Sequence, residues 1–240
     1  MSTLFMIRHG QASFGESDYD KLSELGITQS FFLGEHWVQR GLKLDAALSG
    51  LQRRQEHTME IVGEVYKVAG MEFPEFEMDE GFNEYDAKAI MTRFFPKLLK
   101  ENKRLQEILA SESKGQLNSA EGRKSFQEVF EIVMNSWIKG EAEVDGVESW
   151  MSFKDRVVTA IGKIMDKYPD GKNVAVFTSG GAISAALQFA LEVSDNKALD
   201  LGWVLKNASI TEFKYKSDKF TLAGFNMTPH FYEDSLVTYR

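Results

Sequence analysis

The chain has 240 residues, no cysteine, and 28 Lys and Arg against 36 Asp and Glu, for a net charge of −8. That length suits one α/β domain, with or without a large insertion, while the missing thiols exclude a disulfide framework, a thiolate nucleophile and a cysteine-bound metal and fit a cytoplasmic protein. The acidic balance argues against a protein that binds nucleic acid backbones, and no apolar run approaches the roughly 18 residues of a membrane span.

Leu4-Phe5-Met6-Ile7 is a short apolar run that stops at Arg8-His9-Gly10. An apolar strand this near the N-terminus belongs in a core. A guanidinium, an imidazole and a glycine therefore emerge together at its carboxyl end, where ligands bind in open α/β sheets. Neutral imidazole can attack phosphorus, the adjacent guanidinium can fork onto phosphate oxygens, and glycine lets the backbone pass close to a ligand. The trio points to phosphoryl transfer. Gln11 to Asp20 is polar, contains Gly15 and suits a loop over such a site. Ser23 reads as the N-cap of a helix through about Gln39, with Leu25, Phe32, Leu33 and Trp37 on its apolar face and Gly41 closing it. His36 on that helix reads as an ordinary, partly exposed residue.

Ala46-Ala47-Leu48 reads as a short buried strand, and Ser49-Gly50 leads into a helix over about Leu51 to Ala69, ended by Gly70. Between Ala87 and Glu141 the pattern changes to long helices with aromatic seams, among them Phe94, Phe95, Phe126, Phe130 and Trp137, joined by the Ser- and Gly-containing stretch 113–120. This segment is read as a helical insertion or cap over the catalytic face, about residues 87–141 of a single domain spanning 1–240. Asn173 to Thr178 then repeats the strand, small turn and helix through Ser179-Gly180-Gly181 and Ala182 to Leu191. Both turns place helix N-terminal amides beside strand ends, where they attract anions. Ala208 to Tyr215 and Phe220 to Phe225 read as a closing pair of strands around Lys216 to Lys219. The four histidines, His9, His36, His57 and His230, lack the i, i+4 spacing of a helical zinc pair, so no metal is expected.

Five segments together resemble the histidine phosphatase, or phosphoglycerate mutase-like, superfamily. They are Arg8-His9-Gly10 after its strand, Leu22-Ser23-x-x-Gly26-x-x-Gln29, Ser49 to Thr58, Gly81-Phe82-Asn83-Glu84-Tyr85-Asp86, and Val174 to Gly181. Glu148-Ser149 before a late helix and Asn226-x-x-x-His230 near the fold's core extend the likeness over residues 2–86 and 147–231. The resemblance implies a three-layer α/β/α sandwich with a mainly parallel sheet and a site at the strand carboxyl ends. It implies a phosphomonoester hydrolase of the histidine acid phosphatase type that needs no cofactor and acts on a small phosphorylated molecule. His9 would take the phosphoryl group, Arg8 and a helix arginine would bind its oxygens, and Glu84 would protonate the leaving group and then assist water, with Asp86 as the alternative acid. The family's arginine lies four residues before a threonine, which selects Arg54 before Thr58. Counting four residues forward from Ser49 selects Arg53 instead, and both registers stay open. His57 reads as a packing or pocket-rim residue.

The chain departs from the family pattern at the second histidine, whose place in Ser-His-Gly-Gly is taken by Ser179 before Gly180 and Gly181. Ser179 keeps a hydroxyl donor and Gly180 keeps the backbone approachable, so both are candidate substrate-binding residues. Losing a charged donor is worth about 1.5–3 kcal/mol, or roughly ten- to a hundredfold in rate. Ala12 and Gly15 also replace the family's Thr and Asn after the nucleophile, with Ser13 as the nearest substitute hydroxyl. A catalytically weak or inactive phospholigand-binding or interaction protein is the alternative that Ser179 favours. A phosphoglycerate mutase is a further reading, disfavoured because no Glu-Ser-x-Trp-Asn run follows His9-Gly10.

Overall fold

The computed structural model describes residues 1–13, 20–112, 120–141 and 144–239, without the side chains at 111, 112, 120–123 and 126. Gly15, the stretch 113–119 and the Phe126 side chain therefore lie outside the described residues. The chain divides into two compact units, Met1–Glu84 with Lys154–Arg240, and Tyr85–Phe153.

The first unit is built on a six-stranded sheet of β1 (Ser2–Arg8), β2 (Ala46–Ser49), β3 (Phe76–Met78), β4 (Asn173–Thr178), β5 (Ile210–Lys216) and β6 (Lys219–Met227), in the order β3-β2-β4-β1-β5-β6. The four strands from β3 to β1 run parallel, β5 is antiparallel to β1, and β6 is antiparallel to β5. Every residue of β2 is buried, as expected of parallel strands covered on both faces. On one face lie α1 (Glu24–Gln39) and α2 (Arg53–Val68), whose Leu33, Trp37, Met59, Val62 and Tyr66 join Ile7, Ala47, Ala175 and Phe177 in one apolar cluster. Leu4 and Met6 alternate with Ile7 along β1 and turn to the other face, where α8 (Gly180–Leu191) contacts β1 and β6. The expected mainly parallel three-layer sandwich is thus the observed architecture.

Several boundaries differ from the sequence reading. Gln52 is extended at φ −78 and ψ 134, so α2 begins at Arg53 and not at Leu51. Gly180 and Gly181 are the first residues of α8, not a turn before it. Neither β3, a three-residue edge with Phe76 and Met78 exposed, nor α9 (Asp195–Trp203) was read from the sequence. β3 carries only three residues, and its alternation puts the apolar pair outward, opposite to the pattern that marks a half-buried strand.

The second unit is helical, with α3 (Ala87–Ala89), a π-helical turn (Ile90–Phe94), α4 (Phe95–Glu101), α5 (Lys103–Glu112), α6 (Ala120–Ile138) and the first residues of α7 (Trp150–Lys167). Phe94, Leu98, Leu105, Ile108, Val133 and Trp137 are buried, and Tyr85, Trp137, Trp150 and Phe153 form an aromatic group with ring centroids 5.1–6.3 Å apart. Its aromatic seams are largely a core. Among the described residues no helix is long and apolar enough to cross a membrane.

Candidate active site

The end of β1 is held from both sides. The His9 N–H donates to the Thr178 carbonyl at 2.8 Å, while the His9 carbonyl accepts from the Ala208 N–H and from Asn207 Nδ2, each at 3.2 Å. The imidazole is only 5% exposed. Its Nδ1 lies 2.7 Å from the Gly10 carbonyl, which can only accept, so Nδ1 carries the hydrogen and Nε2 carries the lone pair. Burial and the neighbouring Arg54 and Arg8 charges hold the His9 pKa well below 6.5, opposed in part by the Gly10 carbonyl. At neutral pH the ring is uncharged, the form that can act as a nucleophile.

Of the two arginine registers, Arg54 is the one brought to His9, with its Nε donating to His9 Nε2 at 3.1 Å. Its other nitrogens reach Asp20 Oδ1 at 2.5 Å and Gln52 Oε1 at 3.1 Å, and the residue is 7% exposed. Arg53 turns to solvent and pairs with Glu56 and Glu60 at 2.9 and 2.8 Å. The spacing to Thr58 has a direct cause. The Thr58 hydroxyl donates to the Arg54 carbonyl at 2.7 Å, one helical turn back, and accepts the Gly10 N–H at 3.1 Å. Thr58 thereby ties the turn carrying Arg54 to the residue after His9. Arg8 donates from Nη1 to the Leu205 carbonyl.

Glu84 is held by its N–H on Gln52 Oε1 and by Oε2 on the Gly181 N–H, both at 3.0 Å. Gln52 therefore joins Arg54 to Glu84. Asp86 serves elsewhere, since its side chain accepts from Ala89 N at 2.8 Å and caps α3.

Ser179 is fully buried, and Gln55 Nε2 donates to its Oγ at 2.7 Å. The hydroxyl faces the protein interior and not solvent. Gly180 is half-buried, and a Cβ built there would meet nothing nearer than 3.9 Å. Ser13 is buried, with its N–H on the Lys21 carbonyl at 2.9 Å, beside the bridge that pairs Ala12 with Leu22.

Gly10 acts differently from the sequence expectation. A Cβ there would come within 2.3 Å of the Gly26 carbonyl, so its missing side chain admits α1 rather than a ligand. Gly26 answers it, with the Gln11 carbonyl 2.1 Å from where its own Cβ would lie. Ser23 accepts from Gly26 N at 3.1 Å as the N-cap, and Gln29 Oε1 accepts from Gln11 N at 2.8 Å. The Leu22-to-Gln29 segment is a clamp on the backbone that follows His9. His57 lines a separate groove of about 700 Å³ with Phe31, Ile61, Val65, Val68 and Phe76, which includes neither His9 nor Arg54. Asp20, Gln52, Gln55 and Asn207 were not singled out from sequence; two carboxamides flanking the arginine pair are the signal that was available. Among the described residues no three His, Asp or Glu side chains cluster as a metal-ligand set.

A three-layer α/β fold with an imidazole and a guanidinium paired at the carboxyl end of its central strand defines the class of protein. The chain belongs to the histidine phosphatase superfamily, branch 1, whose family profile matches residues 89–228. That match begins after Glu84, so the placement of His9 and Arg54 rests on the geometry above. The chain is similar in fold to phosphoserine phosphatase from Entamoeba histolytica in complex with 3-phosphoglyceric acid (19% identity, TM-score 0.61, 96% of this chain and 99% of that one). It is also similar to a mycobacterial glucosyl-3-phosphoglycerate phosphatase (19% identity, TM-score 0.62, 93% and 98%) and to phosphoglycerate mutase from Bacillus anthracis (19% identity, TM-score 0.61, 95% and 94%). No curated protein sequence matches the chain.

Proposed function

We propose that this protein is a cytoplasmic phosphomonoesterase that acts through a phosphohistidine on His9. The observation that carries the reading is the buried, neutral imidazole, with Nδ1–H committed to the Gly10 carbonyl and the Nε2 lone pair facing Arg54. In the proposed first step Nε2 bonds to phosphorus as the bond to the ester oxygen breaks. Arg54 leaves Nε2 for the phosphoryl oxygens, Arg8 binds alongside, and Glu84 gives the leaving alkoxide a proton. In the second step Glu84 takes a proton from water, the resulting hydroxide attacks phosphorus, and the phosphorus–nitrogen bond breaks to release inorganic phosphate. Glu84 must be protonated to begin, and an incoming phosphate dianion raises its proton affinity.

One observation supports a second reading, a phospholigand-binding protein with little turnover: residue 179 is a serine whose hydroxyl is buried against Gln55, in place of a cationic donor. A screen of phosphomonoesters with a His9→Ala control separates the two. Turnover lost in His9→Ala, with an acid-labile phosphoryl adduct on His9 in quenched wild-type reactions, supports the enzyme. Saturable binding without turnover supports the second reading, and wild-type activity in His9→Ala overturns the first.

A further inference from the structure

The geometry points to Gln55 as a positioning residue for this reaction, a buried cross-brace that sets Arg54 and Glu84 relative to His9. The inference rests on the proposed phosphatase reading and deepens it. Gln55 follows Arg54 in the first turn of α2 and is fully buried. Its Nε2 donates to the Phe82 carbonyl at 3.3 Å and to Ser179 Oγ at 2.7 Å. The Phe82 carbonyl can only accept, so the nitrogen of the amide faces it, and the same nitrogen faces Ser179. One side chain thus joins the turn bearing Arg54, the segment two residues before Glu84, and the start of α8, whose Gly181 N–H holds the Glu84 carboxylate.

Two further observations mark the brace as more than packing. Gln55 Oε1 is buried and has no hydrogen-bond partner among the described residues. Such an atom destabilises a fold, and an apolar side chain of the same length would avoid that cost. The same oxygen would lie 2.1 Å from a Cβ on Gly50, so the amide fits only because residue 50 has no side chain. Gly50, Gln55 and Ser179 form a matched set. Ser179 makes no side-chain cap on its own helix, which leaves holding Gln55 as the task the structure gives its hydroxyl.

The test is a double-mutant cycle on full-length protein with p-nitrophenyl phosphate, measuring kcat, KM and melting temperature for wild type, Gln55→Met, Ser179→Ala and the double variant. Gln55→Met keeps the length and removes both donors, so it is expected to lower kcat by roughly ten- to a hundredfold, because small misplacements of reacting groups carry penalties of that size. KM is expected to move less than about threefold and the melting temperature to hold or rise, a split that loss of packing alone would not give. Ser179→Ala in the Gln55→Met background is expected to add nothing. Gln55→Met with undiminished kcat, or fully additive losses in the double variant, overturns the inference alone. Wild-type protein that turns over no phosphomonoester overturns both this inference and the phosphatase reading.

Discussion

At the scale of single residues, the site depends on keeping one imidazole uncharged. His9 is held neutral by burial and by two guanidinium groups, so protonation should not limit the reaction until well below pH 6.5. The acid limb of kcat/KM assigned to His9 is therefore expected below its ordinary pKa. Nitrogen NMR is expected to show Nδ1–H, and a protonated ring at pH 6.5 would refute the assignment. The two arginines provide a sharper contrast. If Arg54 binds the phosphoryl group as proposed, Arg54→Ala is expected to lose a charge-assisted contact at a shielded site, worth a few kcal/mol, or roughly a hundredfold or more in kcat/KM. Arg53→Ala removes an exposed pair with Glu56 and Glu60, and such pairs contribute about 0–1 kcal/mol. Kinetics of both variants decide the register, and the opposite ranking would move the clamp to Arg53.

At the scale of elements, the junction of α2 with the start of α8 governs what residue 179 can be. Gln55 Nε2 sits 2.7 Å from Ser179 Oγ, so an imidazole extending in the rotamer of Ser179 would occupy the space of the amide. Ser179→His alone is expected to lower kcat/KM through crowding or an unpaired buried nitrogen. Combining it with Gln55→Ala vacates the space and is expected to recover part of the loss; a clear rate gain from Ser179→His by itself would show that the pocket was not rebuilt around serine. This junction also shows where sequence reading stops. The strand ends at Arg8 and Thr178 and the N-cap at Ser23 are local patterns and were legible, whereas Arg54 was offered only by the family resemblance and stood beside Arg53 as an open alternative. The Gln55 bonds to Ser179 and Phe82 join positions 124 and 27 residues away, respectively, and nothing in the local pattern of either segment encodes them. Gly10 was legible as a necessary glycine but not for its cause, because its close neighbour, Gly26, lies on another element.

At the scale of the whole molecule, the sequence reading placed a helical insertion at about 87–141 of a single domain, while the structure divides into two compact units with the second at Tyr85–Phe153, which includes Tyr85, Trp150 and Phe153 of its aromatic group. Acid stability is a property of the folded chain as a whole, and here His230 matters more than the sequence suggested. It is 6% exposed, and its ring lies 6.2 Å from that of His36. Burial first, and then the His36 charge, push its pKa down to about 3, with the Ala208 backbone opposing only in part. Above pH 6.5 His230 is neutral in both folded and unfolded chains. Below it the unfolded chain takes up a proton that the folded chain refuses until about pH 3, so stability falls as pH drops through that window. His9 contributes with the same sign. The His230 share between pH 6.5 and 5 is on the order of 2 kcal/mol. His230→Phe keeps a ring of similar size and removes the titration, so urea unfolding at pH 7, 6 and 5 is expected to show a shallower loss of stability than wild type by about that amount. Equal slopes for the two proteins would mean that the folded chain protonates His230 as readily as the unfolded one does.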